Sequence, residues 1–196
     1  MHDEKPSKTA CKVARNILTL GAKPDVADVL PPCMVAATER LLIASGAASA
    51  KTVRWSRSPL MICLYRAFDW MMPGQFESFA HRKAFCERQV RESIGVGASQ
   101  ILVLGAGYDT MGWRLAPEFP QVDFFEIDHP ATAALKAKGI EEMGPRPNLH
   151  LIAEDLRQHR LVDVLANDRH WDQSAPTSVI AEGLLQYLTP DAVRDL

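Results

Sequence analysis

Two glycines and several carboxylates stand directly after the short apolar runs in the second half of this 196-residue sequence. Gly105-Ala106-Gly107 follows the apolar run at 101–104. Glycines in this place allow a tight turn and a close approach of the backbone to a ligand, and the helix that follows offers free N–H groups. The pattern predicts a loop that holds a polar or anionic group, although some G-x-G turns only reverse the chain.

Carboxylates follow three later apolar runs. Asp128 comes roughly 20 residues after Gly107, the spacing at which a carboxylate accepts hydrogen bonds from ribose hydroxyls; alternatively it forms a turn before Pro130. Glu154 and Asp155 follow the run at 149–153 and could place a carboxylate near an adenine amino group, although such acids are also common where a strand passes into a loop. Glu182 interrupts an apolar run, and burial of an unpartnered carboxylate is costly, so it is expected to face a polar ligand or a buried cation.

Strands and helices alternate in the part of the chain that carries these residues. The alternation predicts parallel strands covered by helices, with ligands bound beyond the carboxyl ends of the strands. The predicted strands cover 101–104, 124–128, 149–153 and 178–181, and the predicted helices cover 76–94, 131–143 and 161–166, with one more from Thr189-Pro190. Before residue 76, helical patterns are interrupted at several prolines, and the polar first 15 residues are expected to fray.

Two classes of ligand compete for this pattern. A nicotinamide dinucleotide prefers G-x-G-x-x-G, but Thr110 occupies the position of the third glycine. A dinucleotide also brings a pyrophosphate to strand ends that carry acidic residues. S-adenosylmethionine has no phosphate and carries a positive sulfonium, which an acidic crevice attracts. The residues therefore favour S-adenosylmethionine, and a dehydrogenase remains the less favoured alternative.

Composition excludes several other classes of protein. A hydrophobic content of 47% supports a packed core, and the formal net charge of −2 argues against a nucleic-acid partner. No apolar run approaches the ~20 residues of a membrane span, and no signal peptide is apparent. The four cysteines show no C-x-x-C spacing, which predicts buried, reduced thiols, no metal site and a cytoplasmic location.

Several segments resemble one known family. Residues 101–110, with Trp113-Arg114-Leu115, resemble the glycine motif of leucine carboxyl methyltransferase-type enzymes, which are class I S-adenosylmethionine-dependent O-methyltransferases. The resemblance covers roughly residues 76–196, and its first and last motifs are fairly specific to the family. The other similar segments are Arg82-Lys83-Ala84-Phe85, residues 125–130, Glu154-Asp155-Leu156 and residues 181–188.

The resemblance implies a role for residues at the methionine end of the cofactor. Arg82 would pair with the methionine carboxylate, although without the resemblance it would be taken for a solvated helix charge. The backbone of Gly105, Ala106 and Gly107 would pass under the methionine portion. Glu182 would lie near the same end.

The resemblance also implies contacts to the nucleoside. Asp128 would bind the ribose hydroxyls, and Asp155 and Leu156 would hold the adenine. No catalytic residue is assigned: a carboxylate acceptor is already nucleophilic, whereas a hydroxyl acceptor would need a general base. His129 and Tyr187 lie near strand ends but are given no role.

The implied fold is α/β, a Rossmann-like methyltransferase sheet with an N-terminal helical cap. Residues 1–97 would form the cap and substrate lid, and residues 98–196 a partial Rossmann-like domain. Members of the family are longer, so the C-terminal strands are expected to be missing, and the open sheet edge could support a homo-oligomer.

The implied activity is methyl transfer from S-adenosyl-L-methionine to a carboxylate or hydroxyl oxygen, with a small-molecule acceptor favoured. The alternative is a truncated, non-catalytic protein that uses the methyltransferase fold as a binding module.

Overall fold

The computed structural model describes residues 5–194, which form an α/β fold around a four-stranded, wholly parallel sheet in the order β3-β2-β1-β4. Strands β1 and β2 occupy the middle of the sheet. All of β1 and residues 124–127 of β2 are buried, which explains the continuous apolar run at 101–104, whereas β2 includes the buried charge of Glu126. All four strands lie within one residue of their predicted positions. The strands are β1 (Gln100–Leu104), β2 (Asp123–Asp128), β3 (Leu149–Ala153) and β4 (Thr177–Ile180).

Helices precede the sheet and alternate with its strands. The N-terminal part of the chain, which we call the cap, consists of helices. Most of their breaks lie at the predicted prolines, and a further break at residues 45–49 contains no proline. The long helix predicted at 76–94 is confirmed over Gln75–Gly95. The helices are α1 (Lys8–Leu20), α2 (Pro24–Ala27), α3 (Met34–Ala44), α4 (Ala50–Ser56), α5 (Pro59–Met71), α6 (Gln75–Gly95), α7 (Met111–Leu115), α8 (Pro130–Met143), α9 (Leu161–Ala166) and α10 (Pro190–Arg194), with a 3₁₀ turn at Leu185–Tyr187.

The prediction that the first 15 residues fray differs from the structure from residue 5 onward, and its part for residues 1–4 lies outside the described residues. Ser7 is the N-cap of α1, where its side chain accepts a hydrogen bond from the Ala10 N–H. Ser7 N–H in turn donates to Thr132 Oγ1 of α8 at 3.0 Å. The buried residues Ile17 and Leu18 fix the inner face of α1. Tertiary packing therefore outweighs the polar composition of this segment.

The cap and the helices that cover the sheet share one of the hydrophobic clusters. Leu18 and Leu41 of the cap pack in the same cluster as Trp113 and Ile140, which belong to helices that cover the sheet. Helices α3 and α8 approach so closely that a Cβ at Gly139 would lie 2.8 Å from Leu41 Cδ1. The boundary near residue 97 therefore separates two parts that pack through a common core, and their division into domains stays a prediction.

The β4 side of the sheet is the more open one. Val179 of β4 is 56% exposed, and Tyr187 beyond it is 58% exposed. No further strand pairs with β4 among the described residues. The apolar helix α5 has no buried residue. The homo-oligomer through this edge stays a prediction.

The surface gives two further results. Within the described part of the chain, no helix has both the length and the apolar character required to cross a bilayer. All four cysteines are free thiols, as predicted, but Cys33 and Cys63 are exposed and the other two are only half-buried. The prediction of buried thiols was wrong because cysteine spacing carries no information about exposure in a fold with many short helices.

Candidate cofactor site

A cavity of about 760 Å³ lies at the carboxyl ends of β1, β2 and β4, under the start of α1. This volume falls within the roughly 300–1,000 Å³ of small-molecule and cofactor sites. Every residue that the sequence analysis places at the cofactor lines it: Arg82, Gly105, Ala106, Gly107, Asp128, Asp155, Leu156 and Glu182.

The glycine loop adopts a conformation that needs glycine at two positions. Gly105 and Gly107 have φ angles of +66° and +51°, in the left-handed region that side chains disfavour. A Cβ at Gly105 would lie 3.0 Å from Leu184 Cδ1, and one at Gly107 would lie 3.0 Å from Ala10 Cβ. Bare backbone therefore forms this wall of the cavity, as the sequence predicts.

Asp128 fixes the glycine loop to the end of β2. Its Oδ2 accepts a hydrogen bond from Gly107 N–H at 2.6 Å, and its Oδ1 accepts one from His129 N–H at 2.8 Å. Burial raises the pKa of Asp128, and these two hydrogen bonds act in the opposite direction. A carboxylate oxygen has more than one acceptor position. Asp128 can therefore serve the loop and still accept a hydrogen bond from a ligand in the cavity.

Asp155 lies just beyond the end of β3, and its carboxylate accepts hydrogen bonds from residues of its own loop. Its two oxygens accept hydrogen bonds from Arg157 Nε at 2.9 Å and Arg157 Nη2 at 2.8 Å. Gln158 Nε2 donates to the same carboxylate at 2.9 Å. The hydrogen bonds from Arg157 hold the pKa of Asp155 well below its usual range. Leu156 beside it lines the cavity and packs on the sheet core.

Arg82 and Glu182 contact each other across the mouth of the cavity. Arg82 Nε donates to Glu182 Oε1 at 2.8 Å, and the neighbouring Lys83 Nζ donates to Glu182 Oε2 at 3.0 Å. Lys83 Nζ also donates to Asp109 Oδ2 at 2.6 Å. Glu182 therefore faces cations, which was one of the two options that its place in an apolar run implied.

The lysine and aspartate of this network are both charged. Burial alone would lower the pKa of Lys83, but the carboxylates of Asp109 and Glu182 reverse the shift and the pKa rises. Burial alone would raise the pKa of Asp109, but Lys83 outweighs it and holds that pKa well below the usual range.

Comparison with known proteins agrees with this geometry. The profile of the leucine carboxyl methyltransferase family matches residues 35–196, well over half of the chain. The chain belongs to that family. The family match therefore includes α3 to α6 of the cap as well as the sheet.

Curated relatives are similar to the chain over a shorter region. A protein of Mycolicibacterium gilvum (strain PYR-GCK) is 35% identical over 119 residues, which are 59% of this chain and 38% of that protein. One of Mycobacterium marinum (strain ATCC BAA-535 / M) is 32% identical over 126 residues, 63% of this chain and 39% of that protein. Both are provisionally named S-adenosyl-L-methionine-dependent methyltransferases. The chain thus spans about two fifths of the length of the relatives it matches.

The cavity of this leucine carboxyl methyltransferase family member is electrostatically balanced, unlike the acidic crevice that the strand ends predict. Among the described residues, five basic and five acidic ones line it, because the start of the chain, α6 and the loop after β3 bring cations to the acidic strand ends. The basic residues are Lys5, Lys8, Arg82, Lys83 and Arg157, and the acidic residues are Asp109, Asp128, Glu154, Asp155 and Glu182.

Because the charges in the cavity are balanced, acidity no longer argues against a dinucleotide as the ligand. The argument from Thr110, which replaces the third glycine of the dinucleotide motif, still holds. Thr110 is buried, and its Oγ1 accepts a hydrogen bond from Arg114 Nε at 3.2 Å. A side chain with a structural partner therefore stands where the dinucleotide motif requires the third glycine.

Sequence reasoning missed three parts of the site. Lys83 and Asp109 line the cavity and belong to the similar segments, but the sequence predicts no role for them. Several residues between Lys5 and Ala14 also line the cavity, although this segment is predicted to fray. A helix signal existed for that segment, namely Ser7 as an N-cap ahead of apolar residues at helical spacing. No local signal existed for Lys83, since its partner Glu182 lies 99 residues away. Among the described residues, no cluster of acidic, histidine or cysteine side chains could hold a metal ion.

Proposed function

We propose that this chain binds S-adenosyl-L-methionine in the cavity at the strand ends and acts as an O-methyltransferase on a carboxylate or hydroxyl oxygen, with a small-molecule acceptor favoured. The observation that carries the proposal is the convergence of the eight cofactor-binding candidates on one cavity. They come from α6, the glycine loop and the ends of β2, β3 and β4. Family membership and the names of the relatives support the same cofactor.

The proposed residues fit the parts of this cofactor. Asp128, partly buried at the end of β2, would accept hydrogen bonds from the ribose hydroxyls. Leu156 and the loop around Asp155 would contact the adenine. The glycine backbone leaves room for the methionine portion, and Arg82 and Glu182 offer opposite charges to its carboxylate and ammonium groups. A guanidinium has five N–H donors, so the bond from Arg82 Nε to Glu182 leaves others for a ligand.

S-adenosylmethionine supplies a methyl group on a positive sulfonium, and transfer requires an acceptor oxygen in line with that bond. The chain would contribute orientation and exclusion of water. Val13 and Ile17 of α1 and Met34 at the start of α3 give the cavity an apolar wall toward the cap. An acceptor with an apolar body and a carboxylate would suit this wall and the basic residues near it.

A carboxylate acceptor also agrees with the state of the nearby titratable groups. Burial raises the pKa of Tyr108 to about 12, so its hydroxyl remains protonated at neutral pH and provides no general base. His129 uses Nδ1 to accept a hydrogen bond from Ala131 N–H at 3.3 Å. A carboxylate is already nucleophilic and requires neither group.

The first test is the substitution Asp128→Asn, with S-adenosylmethionine binding measured by titration calorimetry. The variant keeps the shape of the side chain but loses its charge, so binding is expected to weaken by about 1–3 kcal/mol. Asp123→Asn is the matched control, since it makes the same change at the opposite end of β2, where Asp123 contacts His150 and does not line the cavity.

Two results would contradict the proposed site. One is a folded wild-type chain that does not bind S-adenosylmethionine. The other is an Asp128→Asn variant that binds as well as Asp123→Asn does. Transfer of radiolabelled methyl groups into carboxylate and hydroxyl acceptors then tests the activity, and a folded chain that binds the cofactor but transfers no label would favour the binding-module alternative.

A further inference from the structure

We propose that Lys83 is a positioning residue for the proposed cofactor: by holding Asp109 and Glu182 together, it forms the wall of the cavity that receives the amino-acid portion of S-adenosylmethionine. The inference rests on the proposed function and adds a residue to it. Lys83 lies on α6, Asp109 lies two residues after Gly107 of the glycine loop, and Glu182 lies beyond the end of β4. All three line the cavity.

The ammonium group of Lys83 forms ion pairs with two carboxylates at once. Its side chain is 8% exposed, and Nζ lies 2.6 Å from Asp109 Oδ2 and 3.0 Å from Glu182 Oε2. The second oxygen of each carboxylate is also bound: Asp109 Oδ1 accepts from Met111 N–H at 2.7 Å, and Glu182 Oε1 accepts from Arg82 Nε at 2.8 Å. Each carboxylate is therefore held at two points, and Lys83 is the group that both share.

The charge of Lys83 decides what this wall can bind. With Lys83 present, Arg82, Glu182, Lys83 and Asp109 form a run of alternating charges without net charge. Without it, the shielded carboxylates of Asp109 and Glu182 would face each other with no cation between them; the half-exposed Arg82 contacts only Glu182, and Lys136 acts on Asp109 without contacting it. Like charges in a shielded site repel, so one carboxylate would move or take up a proton.

This change should affect one part of the cofactor more than the rest. The amino-acid portion of S-adenosylmethionine carries an ammonium and a carboxylate, which complement a wall of alternating charges. 5′-Deoxy-5′-methylthioadenosine has the same adenine and ribose, but it lacks the amino-acid portion and its sulfur is a neutral thioether. Loss of the Lys83 cation would, if anything, favour the positive sulfonium, so a fall in the ratio of the two affinities reports on the amino-acid portion. A general loss of structure would instead lower both affinities together.

The experiment compares Lys83→Met with the wild-type chain in calorimetric titrations of both ligands. Lys83→Met is expected to weaken S-adenosylmethionine binding by about tenfold or more, a typical effect of losing one charge-assisted contact. Binding of 5′-deoxy-5′-methylthioadenosine is expected to stay within about twofold of wild type. Lys83→Arg, which retains the charge, should recover part of the preference for S-adenosylmethionine.

Arg114→Met is the matched control. Arg114 Nη2 forms the other buried ion pair of α6, with Glu87 Oε2 at 2.7 Å, and it does not line the cavity. This variant should lose stability while its ratio of affinities remains that of the wild type. Lys83→Gln provides the same test of Lys83 if Lys83→Met does not fold.

Equal weakening of both ligands in the neutral Lys83 variants, or an unchanged ratio, would overturn the role of Lys83 and leave the proposed function intact. A wild-type chain that binds neither ligand would instead overturn the proposed function, and this inference with it.

Discussion

Lys136→Met is expected to lower the free energy of unfolding by about 3–5 kcal/mol, the range found when one partner of a buried ion pair is removed. Lys136 Nζ of α8 lies 2.5 Å from Glu126 Oε2 of β2, and both side chains are 2% exposed. The substitution would leave the Glu126 carboxylate buried against the central sheet without its cation. Urea denaturation measures the loss, with Lys138→Met, an exposed lysine on the same helix, as the control.

The loss should depend on pH in a defined direction. Burial raises the pKa of Glu126, and Lys136 opposes that shift, so the pKa should rise further in Lys136→Met. An acid whose pKa is higher in the folded state than in the unfolded state favours folding at low pH and opposes it as the pH rises. The variant should therefore lose less stability at pH 5 than at pH 8.

The double variant Glu126→Gln/Lys136→Met removes both charges and should recover part of the stability, since no unpaired charge remains. If Lys136→Met costs no more than Lys138→Met, or costs the same at both pH values, the ion pair does not stabilise the sheet as inferred.

Gly107→Ala is expected to reduce both stability and cofactor binding, because two separate costs act at one position. The φ angle of +51° imposes a left-handed conformation, which costs a non-glycine residue about 1–2 kcal/mol. The new methyl group would also meet Ala10 Cβ at 3.0 Å, and overpacking of this kind typically costs a further 1–3 kcal/mol or so. Displacement of α1 or of the loop would then disturb the contact between Gly107 N–H and Asp128.

Two further variants separate the costs. Gly46→Ala introduces a methyl group at a φ angle of +75° with no neighbour within 4 Å, so it measures backbone strain without the clash. Gly107→Ala/Ala10→Gly removes the clash and retains the strain, apart from the cost of a glycine within α1. Urea denaturation and S-adenosylmethionine titration are the measurements. A Gly107→Ala variant that resembles Gly46→Ala in stability and binds like the wild type would show that α1 does not close tightly on the loop.

Much of the sheet and of the site follows from the sequence because the relevant signals are local. Short apolar runs that end in glycine or acid mark β1 to β4 to within a residue. Parallel strands place their carboxyl ends at one edge, so candidates as far apart as Gly105 and Glu182 could be assigned to one site before any coordinates. All eight candidates do line one cavity.

Contacts between distant segments were not predictable in the same way. Nothing next to Lys83 in the sequence indicates that it lies between Asp109 and Glu182, since those contacts span 26 and 99 residues. The polar start of the chain suggested fraying, yet the contact between Ser7 and Thr132, 125 residues apart, anchors it over the cavity. Such contacts depend on packing of the whole chain and leave no periodic pattern behind.

The sequence by itself determined which residues stand at the strand ends, because hydrophobic periodicity and turn chemistry act over a few neighbouring residues. Only the tertiary structure decided the electrostatic character of the cavity. Its charge is a sum over residues from α1, α6 and four strand ends, and the acidic crevice expected from the strand ends alone became a balanced one when Lys8, Arg82 and Lys83 were brought against it. Electrostatic interactions act through space, so their balance depends on which distant residues the fold places together.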